Sequence, residues 1–250
     1  MFYSFSTIVK SLPKKKNSKS SLWVKLIVRK LSFLFTFIFI NLGFSAWAVS
    51  VLSVFVAITG CVFLCIDSYI FRIIGVVLVE FWLVLDCVDG NIARVKKTSS
   101  EMGEFIDALS GYFVTAFVYF SIGVAAYYTS FISIFDNWKF YFIFMGSIST
   151  VSGLLSRLIH QKYTYSLMVI NNGKSSYEKK DLPQEEVENK KNIQYLRSRL
   201  DKEISISGLF MPFLIVSLVL NIFDIMTIFY FIFQVLGLIA VTCLYSLKAK

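Results

Sequence analysis

Six long apolar runs, separated by short polar stretches, leave this chain very few ways to fold. They cover residues 44–66, 71–93, 104–129, 138–159, 204–221 and 223–247. About 20 predominantly apolar residues suffice to cross a hydrocarbon core roughly 30 Å thick. In that solvent backbone polar groups must be satisfied internally, which a helix does within its own segment, so each run is expected to form a helix. The surrounding composition agrees, with 56% hydrophobic and 17% aromatic residues among 250 and a mean hydropathy of +0.68. The expected fold is an all-α integral membrane protein of six transmembrane helices, preceded by an amphipathic helix lying in the interface.

Residues 1–43 form the first expected region, a basic cytoplasmic N-terminus ending in that interfacial helix. Within Ser21–Ile40 the cations Lys25, Arg29 and Lys30 fall at i, i+4 and i+5 beside an apolar remainder, a pattern that suits a helix lying in the interface with its lysines at headgroup level. A seventh full span here is the competing reading, and an odd number of spans would leave one basic end outside. Asn41-Leu-Gly-Phe-Ser then marks a turn. Residues 44–250 form the second region, one six-span membrane domain with a polar cytoplasmic segment at 171–203. After Pro183 that segment is rich in helix formers, with Ile193, Leu196 and Leu200 near helical spacing.

Basic residues accumulate on the cytoplasmic side of short loops. With both termini inside, 23 of the 25 lysines and arginines lie on that side, and only Arg72 and Lys139 lie near outward loops. The net charge of +9 is therefore mostly topology, together with attraction to anionic lipid headgroups, and not a nucleic-acid footprint. Cys61, Cys65, Cys87 and Cys243 all fall within expected spans, none with zinc-site spacing, and read as packing residues. No cleavable signal peptide is expected, so the first span directs insertion.

The chemistry is concentrated where the second run ends and the third begins. Asp86, Asp89, Gly90, Ala93 and Arg94 are followed after eight residues by Gly103, and then by Asp107. Separations of three, four, seven and eight residues set the first five on one helical face, while Gly103, Asp107 and Gly111 share another. A turn of about nine residues lets the two faces oppose each other near the cytoplasmic surface. Each aspartate costs ~2.5–3.5 kcal/mol at a helix centre, so the cluster needs compensation. Divalent cations provide it through hard oxygen ligands, and the chemistry that uses such a cluster is phosphoryl transfer. The small residues leave room for a ligand to approach the backbone, and Arg94 offers a planar fork for a phosphate or a structural carboxylate.

This string resembles the signature of the CDP-alcohol phosphotransferases, integral membrane enzymes that move a phosphoalcohol from a cytidine diphosphate donor onto a hydroxyl. The resemblance implies that Asp86, Asp89 and Asp107 bind Mg2+ or Mn2+. It implies that Ser50, Asp86, Asp89, Gly90, Ala93, Arg94 and Gly103 form the nucleotide site, with Trp47-Ala-Val-Ser50 standing where the family often has an Asn-x-x-Thr-like element. It also implies a CDP-alcohol donor, CDP-diacylglycerol among the candidates, and a hydroxyl acceptor that is a lipid, a small molecule or a glycan. A homodimer embedded among membrane lipids completes the expectation, with the active site on the cytoplasmic face. The family pattern places a fourth aspartate, metal ligand and catalytic base, where this chain has Gly111. Glu104 or the acceptor's own phosphate is a candidate replacement base, an acceptor needing no strong base is a second route, and a non-catalytic nucleotide- and metal-binding protein is the alternative function. A transporter ranks last, because the charged cluster lies at helix ends and not at the midplane.

Three further residues carry expectations. Glu80 lies six residues before Asp86, about 9 Å along a helix axis, too far to join the cluster directly; hydrogen bonding within the bundle is its expected state. His160, the single histidine, excludes multi-histidine metal sites and His-based triads. It stands near Arg157, read either as an interfacial cation or as an acceptor-phosphate ligand, to which Arg197 and Arg199 could add.

Overall fold

A computed structural model describes residues 3–13, 20–129, 139–173 and 206–248; within them the chain is helical, with no strand. In chain order the helices are α1 (Phe5–Lys10), α2 (Arg29–Asn41), α3 (Ala46–Leu64), α4 (Tyr69–Lys96), α5 (Glu101–Thr129), α6 (Phe140–Gly173), α7 (Met211–Leu220) and α8 (Phe223–Lys248). Wider π-helical turns, Val24–Val28 and Ile206–Phe210, lead into α2 and α7.

Four helices contain stretches long and apolar enough to cross a membrane: Ala46–Leu64, Phe105–Thr129, Phe140–Leu167 and Phe223–Leu247. The expected second and fifth runs differ from these for separate reasons. Helix α4 has 28 residues, but Arg72, Glu80, Asp86 and Asp89 interrupt its apolar character. The fifth run is described as the shorter apolar helix Ile206–Leu220. Most of the polar segment 171–203, including Ile193, Leu196, Arg197, Arg199 and Leu200, lies outside the described residues.

Local chemistry sets the helix boundaries around the site. The chain turns between α2 and α3 at Gly43, whose φ of 89° is left-handed backbone that glycine adopts without a Cβ clash. Ser45 then caps α3 by accepting the Ala48 N–H at 3.1 Å. Helix α4 continues to Lys96, three residues beyond the expected run, and closes with left-handed Lys97. The Thr98 N–H reaches the Ala93 carbonyl at 2.9 Å and the Lys97 N–H the Arg94 carbonyl at 3.2 Å, a Schellman closure. Ser100 caps α5 through the Gly103 N–H at 3.1 Å. The joint between α4 and α5 is therefore the four residues 97–100, tighter than the nine-residue turn expected from the apolar runs.

Glycine contacts bring the helices close. A Cβ on Gly75 of α4 would lie 2.8 Å from the Gly60 carbonyl of α3, and a Cβ on Gly123 of α5 would lie 2.5 Å from the Phe142 carbonyl of α6. Only glycine permits this approach, the small-residue packing that substitutes for a hydrophobic driving force in lipid. Away from the site, Tyr119, Phe210 and Tyr230 join α5 and α8 to the turn before α7, with ring centroids 4.9–5.6 Å apart. Gln234 donates to the Tyr119 hydroxyl at 2.7 Å, satisfying a phenol that is buried at 2% exposure.

Candidate active site

Helices α2, α3, α4 and α5 converge on a cavity of about 840 Å³ at the α4–α5 joint. Helix α3 contributes Ser50, α4 contributes Asp86, Asp89, Gly90, Ala93 and Arg94, and α5 contributes Gly103 and Asp107. All eight residues of the sequence-derived nucleotide and metal set thus line one space. Helix α3 accounts for this together with the tight closure after Lys96, because α4 and α5 each pack along α3 and meet each other only sparsely.

Individual side chains are fixed by neighbours. Asp89 is 4% exposed and accepts a hydrogen bond from the Ser50 hydroxyl at 2.5 Å, linking α3 to α4. One turn deeper, Ser53 and Trp82 both reach Ser110, at 3.2 and 3.1 Å, so a polar floor joins α3, α4 and α5. The Arg94 guanidinium lies over Gly90, where a Cβ would meet its Nη1 at 3.3 Å. Its Nη2 donates to Asn91 Oδ1 at 2.5 Å.

Asn91 is fully buried and extends this contact to α2. Its amide donates to Thr36 at 3.0 Å and to Ser32 at 3.3 Å. On the same side of α2, Arg29 is 7% exposed and lines the cavity, with Nη2 donating to Ser20 at 3.2 Å. Arg29 thus faces the protein interior, a direction that the basic stripe in the sequence does not give. The cause is that Arg29, Ser32, Thr36 and Ile40 form the buried face of α2, and that face turns toward α4. Burial lowers the Arg94 guanidinium from its ordinary value, and the nearby positive charge of Arg29 adds to the effect.

The carboxylates share the cavity without forming a finished metal cage. Among the described residues no group of three or more His, Cys, Asp or Glu side chains is close enough to hold a metal ion. The donors fit a divalent cation in kind, being hard carboxylate oxygens, but their present separation does not form a multidentate cluster. The side chain of Glu104, the candidate base, lies outside the described residues.

Gly111 and Arg157 sit together, apart from the cavity lining. Arg157 Nη1 donates to the Gly111 carbonyl at 3.2 Å, and its guanidinium lies 5.6 Å from the centre of the Tyr112 ring. A Cβ at position 111 would be 3.6 Å from the same Nη1, an ordinary contact. Position 111 therefore has room for a side chain, and a carboxylate there would stand beside a guanidinium. His160 pairs through Nδ1 with the Tyr245 hydroxyl at 2.5 Å, and Tyr163 stacks on Tyr245, so this group ties α6 to α8. Glu80 accepts from Trp23 Nε1 at 3.2 Å, a contact between α4 and the segment before α2.

Fold and cavity together define a helical, membrane-type protein with an acidic and basic pocket at the joint of two helices. The family model described as CDP-alcohol phosphatidyltransferase matches residues 43–171, just over half of the chain, and spans all of the lining residues that α3, α4 and α5 supply. The chain belongs to this family, whose members are transferases that move a phosphoalcohol group from a CDP-linked donor and generally depend on divalent metal. Among curated proteins nothing matches the chain. Sequence reasoning missed Arg29 and Asn91 as contributors to the pocket. The available signal was the polar trio Arg29, Ser32 and Thr36 on one face of an otherwise apolar helix.

Proposed function

We propose that the protein transfers a phosphoalcohol from a CDP-linked donor to a hydroxyl acceptor, releasing CMP, in phospholipid or surface-glycan biosynthesis. The observation that carries this reading is the convergence of Ser50, Asp86, Asp89, Gly90, Ala93, Arg94, Gly103 and Asp107 on one cavity. In the reaction, the acceptor oxygen forms a bond to the phosphorus bearing the alcohol and the diphosphate P–O bond breaks, with CMP leaving. A divalent cation, Mg2+ or Mn2+, held by Asp86, Asp89 and Asp107 would neutralise charge on the diphosphate. Ser50 orients Asp89, Gly90 and Ala93 admit the nucleotide close to the backbone, and Arg94 meets a phosphate.

The acceptor's proton needs a destination other than residue 111. Glu104 or the acceptor's own phosphate is the candidate, and Arg157 beside Gly111 would hold an acceptor phosphate. A six-span topology with cytoplasmic termini, a cytoplasmic site and a homodimeric assembly are part of the same proposal, supported by the distribution of basic residues.

A second reading, a non-catalytic nucleotide- and metal-binding protein, draws on Gly111 and on the absence of a ready three-ligand group among the described residues. Release of CMP separates the two. With Mg2+ or Mn2+, a panel of CDP-alcohols and membrane lipids, the purified protein is expected to release CMP from at least one donor. No release from any donor, together with release by Gly111→Asp, defeats the enzyme reading. Asp86→Asn and Asp107→Asn are each expected to weaken divalent-cation binding; unchanged affinity in both removes the metal assignment.

A further inference from the structure

We propose that Arg29 binds the diphosphate of the CDP-linked donor, acting with Arg94 as a two-guanidinium clamp built across α2 and α4. The inference rests on the donor reading of the cavity, and adds to it a ligand from outside the motif string.

Burial makes Arg29 unusual. A guanidinium taken out of water costs several kcal/mol unless its charge and its donors are compensated, yet Arg29 is only 7% exposed. Among the described residues its hydrogen bond goes to a neutral hydroxyl, that of Ser20, and its buried Nε has no partner. Arg94 shares part of the pattern: it is half-buried, its hydrogen bond goes to the neutral amide of Asn91 and its buried Nε has no partner, while Asp89 and Asp107 lie near enough to act on its charge. Both side chains line the same cavity. A buried and a half-buried cation, each with a spare donor and both lining one space, suit an anion with several oxygens.

Their mutual placement is built into the helix pair. Asn91 holds Arg94 through its carbonyl while its amide is held by Ser32 and Thr36, one and two turns along α2 from Arg29. Helix α2 therefore supplies one guanidinium and indirectly orients the other. Planar guanidinium forks match phosphate geometry and grip it through paired hydrogen bonds. The two arginines add positive charge and directional donors to a cavity whose lining also holds Asp86, Asp89 and Asp107.

The test uses the full chain in non-ionic detergent with Mg2+, titrated with CDP by calorimetry. Arg29→Gln is expected to weaken CDP binding about tenfold, the scale of one lost charge-assisted contact. Arg29→Lys should recover part of that loss, and Lys25→Gln, which removes a charge from the adjacent turn without touching the cavity, should bind as the unaltered chain does. Equal affinity in Arg29→Gln, or an equal loss in Lys25→Gln, overturns the inference. Should Arg29→Gln fail to fold, as judged by size-exclusion profile, Arg29→Lys decides: affinity unchanged from the unaltered chain overturns the clamp. A parallel arm measures binding to micelles containing an anionic phospholipid. Loss of lipid binding in Arg29→Gln with CDP affinity unchanged assigns Arg29 to a headgroup and also overturns the proposal. Failure of the unaltered chain to bind CDP is a distinct result, which removes the donor reading itself.

Discussion

Single atoms decide what the pocket can do. The Ser50 hydroxyl is a donor to a buried carboxylate, so Ser50→Ala is expected to destabilise the protein by about 1–3 kcal/mol, read as a lowered thermal midpoint in detergent. Gly90 acts through space: a Cβ would sit 3.3 Å from Nη1 of the Arg94 guanidinium, whose Nη2 is already tied to Asn91. Gly90→Ala should therefore shift the guanidinium and lower CDP affinity roughly threefold to tenfold with little change in thermal midpoint, since a short displacement misaligns a charge-assisted contact without opening a cavity. A wild-type affinity in that variant would mean that Arg94 does not contact the nucleotide. The spacing of Asp86, Asp89, Gly90, Ala93 and Arg94 is legible because helical periodicity converts it directly into one face. Arg29 is not, because a cation near the start of an apolar helix has the same pattern whether it turns to headgroups or to a protein cavity. Only packing against α4 distinguishes the two.

At the level of helices, close backbone crossings and, between α2 and α4, a polar seam hold the bundle. The crossing of α5 and α6 tolerates nothing larger than glycine at 123, where a Cβ would lie 2.5 Å from a carbonyl oxygen. Gly123→Ala is expected to cost about 1–3 kcal/mol through overpacking, measured by thermal unfolding in detergent; an unchanged midpoint would show that α5 and α6 slide apart freely. The seam is Asn91 with Ser32 and Thr36, which sets α2 against α4. Helix lengths were less legible than helix positions. Apolar character ends near residue 93, whereas α4 runs on to Lys96, because Arg94, Val95 and Lys96 can extend a helix whose end is then closed at left-handed Lys97. Hydropathy marks where a membrane could be; hydrogen-bond geometry marks where a helix stops.

For the whole molecule, the proposed topology makes opposite predictions for the two ends of α4. In a background with the four native cysteines replaced, Asp67→Cys should react with a membrane-impermeant maleimide applied to intact cells, and Ser99→Cys should react only after the membrane is opened. Both positions are exposed, so access depends on the side of the membrane; the reverse pattern would invert the proposed orientation. The sequence by itself determined the all-helical, membrane-type architecture, because apolar length and the demand for internal backbone hydrogen bonds admit no other common solution. It also determined the family and the motif residues, since their chemistry is written in spacing along two consecutive helices. The tertiary structure alone decided that α3 would bring Ser50 to Asp89, that α2 would turn Arg29 inward, and that Arg157 would lie beside Gly111. Each of these joins residues far apart in the chain, through side-chain contacts that no local periodicity encodes.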